Sequence, residues 1–124
     1  MVEIDVEKHV KFLLATANNR GFEWIMSEYL RMSGIYWSLT ALCLLDSEHL
    51  LPKEELLTFV KSCLHKSGGF SAAPGHYPSI IYTLSAIQIL KIFDVLDNFE
   101  EKETVVKFIK SLQNDDGSFK GNSS

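Results

Sequence analysis

One segment of this chain occurs twice. FVKSCLHKSGGF (Phe59–Phe70) returns as FIKSLQNDDGSF (Phe108–Phe119), 49 residues further on. The run IYWSLTAL (Ile35–Leu42), ahead of the first copy, is echoed between the two copies by IYTLSAI (Ile81–Ile87). There Trp37 aligns with Tyr82, Leu39 with Leu84, Ala41 with Ala86 and Leu42 with Ile87, an offset of 45. The unit is an amphipathic helix, a Gly-Gly-Phe or Gly-Ser-Phe turn, and an apolar helix. A period of this size built from paired helices indicates a helical solenoid or toroid, in which each unit buries its apolar face against its neighbours.

Apolar residues recur at helical spacing throughout, with no sustained alternation of period two. Five helices are expected. The first spans Asp5–Asn18, with Val6, Val10 and Leu13–Leu14 as its stripe. The second spans Glu28–Asp46. The third starts at Pro52, which suits a first helical position because its missing N–H costs nothing there, and it ends by Gly68–Gly69. The fourth runs from about Pro78 to Asp94. The fifth follows Asn98, whose side chain can cap it while Glu101 reaches back, and it ends before Asp115–Asp116–Gly117. The third and fifth helices carry Lys and Glu on one face and belong outside. The second and fourth are apolar almost all round and are expected to be buried on every side. The units are then residues 5–46, 52–94 and an incomplete 98–124, in one N-terminal portion of a barrel domain. The inner helix that should follow Gly117–Phe119 is missing, so the chain reads as truncated.

Several function classes are excluded. A net charge of -4 with scattered Lys and Arg offers no electrostatic footprint for nucleic acid. The apolar stretches Ile35–Leu45 and Ile80–Leu90 are too short to span a bilayer. The start of the chain carries Glu3, Asp5 and Glu7 rather than a basic-then-apolar signal, which predicts a cytoplasmic protein. Cys43 and Cys63 lie in apolar helical patterns and read as two reduced thiols. His9, His49, His65 and His76 have no metal-ligand spacing, and no C-x-x-C occurs. Ser67-Gly68-Gly69-Phe70 is a helix-ending turn with Phe70 folded back, not a phosphate loop, because no strand precedes it and no Lys-Ser/Thr follows. Asp115–Asp116 is a turn.

The Gly-containing turns and paired helices resemble the alpha/alpha toroid proteins, which include protein prenyltransferase beta subunits and terpene cyclases. MSEYLRMSGIYWSLTALCLL (Met26–Leu45) and EELLTFVKSCLHKSGGFSAAPGHYPSIIYTLSAIQIL (Glu54–Leu90) look like consecutive repeats of the beta subunits of type II protein geranylgeranyltransferases, the Rab geranylgeranyltransferases. The resemblance covers about Glu7–Gly121. It implies an all-α fold, here a partial alpha/alpha toroid of about two and a half repeats. It also implies a subunit that pairs with an alpha subunit and transfers geranylgeranyl from geranylgeranyl diphosphate to C-terminal cysteines of Rab GTPases, presented by a Rab escort protein. In the family a zinc ion held by Asp, Cys and His activates the acceptor thiolate. Those ligands, and the basic residues for the diphosphate, come from later repeats and are not carried over. No catalytic and no metal-binding residue is therefore expected in this chain, and the chain alone is not expected to be active.

The resemblance does place lipid-pocket positions here. Ser33 matches a position where a small residue leaves depth for the longer isoprenoid, and related farnesyltransferases put a bulky aromatic there. Trp37, Tyr82 and Leu84 match inner-helix positions near the cavity wall. Rigid aromatics and a preformed apolar slot suit a prenyl chain. From the residues alone, Trp37, Tyr82 and Leu84 read more simply as packed core. Two other functions stay open: a non-catalytic helical-repeat binding module and a terpene-cyclase-like fragment. With its apolar inner helices, the isolated chain is expected to self-associate.

Overall fold

A computed structural model describes residues 2–124 of the chain. Six α-helices are described: α1 (Val6–Asn18), α2 (Phe22–Met26), α3 (Arg31–Leu44), α4 (Lys53–Ser62), α5 (Ile80–Ile92) and α6 (Lys102–Ser111). The sequence pattern locates all of these except α2. That helix is five residues long, too short to show a period. Single 3-10 turns at Glu28–Leu30 and Glu48–Leu50 lead into α3 and away from it. Asp5 caps α1 by accepting the Lys8 N–H at 3.1 Å, and Ser79 caps α5 by accepting the Tyr82 N–H. At α6 the Asn98 cap does not form. The cap position falls at Glu101, with no side-chain bond, because Phe99 is itself held in a turn by its N–H bond to the Leu96 carbonyl.

The repeat is reproduced bond for bond. The turn after α4 is closed by His65 N–H to Gly69 O, Gly68 N–H to His65 O and Ser71 N–H to Cys63 O, all at 2.8–3.0 Å. The turn after α6 has the same three bonds: Asn114 to Ser118, Gly117 to Asn114 and Lys120 to Leu112. Gly68 and Gly117 occupy equivalent left-handed positions, with φ of 93° and 87°. The inner helices also end alike. Asp46 and Asp94 take φ of 52° and 58°, and the next N–H reaches back to Leu42 O and Leu90 O respectively. That closure satisfies carbonyls the helix end would leave bare.

These equivalences correct the register of the inner helices. The Met32 N–H bonds Ala72 O and the Ile80 N–H bonds Gly121 O, at 2.9 and 2.8 Å, so Met32 is equivalent to Ile80. The true offset is therefore 48 rather than 45, and Trp37 is equivalent to Ser85, not to Tyr82. A three-residue slip is close to one helical turn. In a helix apolar all round, such a slip matches nearly as many apolar letters as the correct register does.

α3 packs most extensively on α5. Beneath the pair lies a core that includes Met32, Leu39, Leu42, Val60, Phe70, Ala86, Ile89 and Leu90. Phe70 stacks at a tilt on Phe99, 6.1 Å between ring centres. It is pinned by two bonds: its N–H donates to the Thr83 hydroxyl and its carbonyl accepts the Ser79 N–H. The Gly-Gly-Phe turn thus locks an outer helix to the start of the next inner one. The expectation of complete burial for the inner helices does not hold. Trp37 and Leu44 on α3, and Ile81 and Leu84 on α5, are exposed.

Candidate functional site

The two inner helices meet along a polar seam. The Tyr82 hydroxyl donates to the Tyr29 carbonyl. The Ser33 and Ser85 hydroxyls share a hydrogen bond, 3.1 Å between oxygens. The Gln88 side-chain amide donates to the Tyr36 hydroxyl at 3.0 Å. Partner numbers climb together, from the 3-10 turn at Tyr29 through Ser33 and Tyr36 on α3, so α3 and α5 run parallel. Ser33 and Ser85 are both buried. Side chains this short reach each other only if the backbones approach closely, and that is the narrowest level of the seam.

Both helices bury one side in the same cluster and leave large apolar residues exposed on the other. Trp37 (58% exposed) lies one turn from Ser33, and Leu84 (54% exposed) is the residue before Ser85. Leu44 on α3 and Ile81 on α5 are exposed as well. Of the four residues singled out in the sequence, Ser33 and Tyr82 thus belong to the seam, while Trp37 and Leu84 are exposed. Trp37 and Leu84 are not packed core. Trp37 also lines a groove of about 250 Å³ with Trp24, Leu30, Gly34, Ser38 and Leu56. Ser85, Tyr36 and Gln88 were missed. Their only sequence signal is polarity inside apolar helices, and their partners lie 52 residues away.

Several other polar side chains tie elements of the fold together. Trp24 is sandwiched between the Arg20 and Arg31 guanidiniums, 4.1 and 3.7 Å from its ring centre. His76 meets the Glu28 carboxylate at 2.7 Å, tying the turn before α5 to the approach of α3. His65 is bonded to the Ser67 hydroxyl. Burial pushes the Cys63 thiol up to about 11, and burial with the nearby Glu48 carboxylate raises Cys43. Neither thiol is an activated nucleophile, and both are free. Among the described residues, no three His, Cys, Asp or Glu side chains gather where a metal could be held. No described helix is long and apolar enough to cross a membrane.

The prenyltransferase alpha-alpha toroid domain matches residues 4–124. The chain belongs to that family. Its toroid repeats are also close in sequence to named proteins. It is 43% identical over 119 residues to the geranylgeranyl transferase type-2 subunit beta of Saccharomyces cerevisiae, covering 93% of this chain and 37% of that protein. It is 37% identical over 132 residues to the subunit of the same name from Candida albicans, covering 98% of this chain and 39% of the relative. It is 45% identical over 91 residues to the type-2 subunit beta 1 of Arabidopsis thaliana, covering 73% of this chain and 28% of the relative. The chain thus spans roughly a third of the length of these curated relatives.

Proposed function

We propose that these toroid repeats form part of the beta subunit of a type II protein geranylgeranyltransferase. The whole protein transfers a geranylgeranyl group from geranylgeranyl diphosphate to C-terminal cysteines of Rab GTPases. The observation that carries this reading is the 43% identity, across 93% of the chain, to a subunit of that name. The shape of the inner-helix layer supports it. Two parallel, closely packed helices leave Trp37, Leu44, Ile81 and Leu84 exposed. An extended isoprenoid carries no hydrogen-bonding groups, so an apolar wall recognises it through contact area and water exclusion. In this reading Ser33, Trp37, Tyr82 and Leu84 contribute to the lipid wall, Ser33 and Tyr82 from within it and Trp37 and Leu84 at its surface.

The reading brings a partner alpha subunit, a Rab substrate with its escort protein, and a cytoplasmic site of action. Zinc would supply a deprotonated acceptor thiol. Among the described residues no three His, Cys, Asp or Glu gather to hold it, and in this reading its ligands come from later repeats. The test is transfer of tritiated geranylgeranyl to a Rab by the protein as its source makes it, with alpha subunit and escort protein added. Label on the Rab C-terminus, and far less from farnesyl diphosphate, is expected. Absence of transfer from both diphosphates would overturn the proposal and favour a non-catalytic helical-repeat module.

A further inference from the structure

We infer that His76 is a positioning residue: by holding Glu28 it fixes the segment Phe22–Leu30, and so one side of the groove that contains Trp37. The inference rests on the reading of Trp37 as part of the lipid wall. Neither α2 nor the 3-10 turn Glu28–Leu30 buries a residue, and Phe22, Ile25, Met26 and Tyr29 are exposed. Burial therefore does little to hold this segment in place. Side-chain bonds hold it instead.

Glu28 is where those bonds gather. One carboxylate oxygen accepts from His76 Nε2 at 2.7 Å, and the other lies 3.9 Å from the Arg31 guanidinium. Because an ionised carboxylate only accepts, Nε2 carries the proton in this bond. Arg31 in turn donates to the Trp24 carbonyl at 2.5 Å and lies over the Trp24 ring. The series His76, Glu28, Arg31, Trp24 thus leads from the turn before α5 to the groove, which Trp24 and Leu30 line together with Trp37. Its anchored end is firm. Ser71, Ala72 and Ala73 are buried, and the Ala73 carbonyl accepts both the Ser71 hydroxyl and the His76 N–H. The pair is not a by-product of the repeat. Glu28 and His76 lie four residues before Met32 and Ile80, so they occupy equivalent positions, yet one is an acid and the other a base. Without the imidazole, the Tyr82 hydroxyl on the Tyr29 carbonyl is the remaining side-chain tie from α5 to this segment.

The test is steady-state geranylgeranyl transfer to a Rab by the protein as its source makes it, with partner subunit and escort protein. The variants are His76→Ala, His76→Gln, Glu28→Ala and the double alanine variant, each with its melting temperature recorded. His76→Ala is expected to raise KM for geranylgeranyl diphosphate roughly fivefold, the scale of one partly exposed charge-assisted bond. kcat should hold, because the loss falls on binding. Glu28→Ala should do the same, and the double variant should lose no more than either alone. Glutamine keeps an N–H donor, so His76→Gln should recover most of the affinity. If His76→Ala fails to fold, Glu28→Ala and His76→Gln decide. An unchanged KM in the folded alanine variants, additive losses in the double variant, or a loss in His76→Gln as large as in the alanine variants overturns the role of His76. Wild-type protein that transfers nothing would instead overturn the lipid-wall reading itself.

Discussion

Gly68 and Gly117 are equivalent in the repeat and have the same backbone, yet alanine should affect them very differently. Both sit at positive φ, 93° and 87°, where any side chain carries a strain of about 1–2 kcal/mol. Around Gly117 an added methyl meets nothing within 4 Å. At Gly68 it would lie 2.2 Å from the Thr104 carbonyl oxygen and 2.6 Å from its carbon. The obstacle is helix backbone, so a rotamer change cannot relieve it. α6 would have to back away, and overpacking of this kind costs a further ~1–3 kcal/mol. Gly117→Ala is therefore expected to cost about 1–2 kcal/mol and Gly68→Ala about 2–5, against a domain stability of roughly 5–15 kcal/mol. Urea unfolding followed by far-ultraviolet circular dichroism, at one fixed protein concentration, measures the difference. Equal losses at the two glycines would show that α6 does not rest on the turn of the preceding repeat, and would refute the packing described here.

Three further outcomes are expected. Phe70→Ala should destabilise by about 3–5 kcal/mol, since Phe70 is fully buried, whereas Phe119→Ala, at a site 47% exposed, should cost much less; thermal melts of the two variants compare them. Cys63 has its folded pKa raised to about 11, so the stability its neutral thiol contributes is present below the ordinary thiol range and is lost as pH rises from there towards 11; alkylation of native protein at pH 8 should spare it, and rapid labelling there would contradict its burial. The isolated 124-residue chain should self-associate through the exposed apolar residues of its inner helices, because each large apolar side chain left in water forfeits roughly 1.5–3 kcal/mol. Light scattering with size exclusion should show mass rising with concentration, and a monomer at every dilution would contradict it.

The outer parts of the fold could be read from the chain alone. α4 and α6 alternate Lys or Glu with apolar residues, and the turns that end them carry glycine where φ is positive. Those signals are local, and a backbone requirement or a solvent-facing stripe writes itself directly into residue type. The all-helical class and the repeat follow from them, while the family resemblance rests also on the inner-helix run Met26–Leu45. The inner helices left three things undetermined. Their register was ambiguous because an apolar run matches itself after a shift of nearly one turn, and only the bonds of Met32 to Ala72 and Ile80 to Gly121 set it. Which side of each stayed free was equally hidden, since a helix with no polar stripe gives packing the whole choice; Trp37 and Leu84 read as core until α3 and α5 were placed together. The seam itself joins residues about 52 positions apart, so Ser85 and Gln88 acquire meaning only when the tertiary structure puts Ser33 and Tyr36 opposite them.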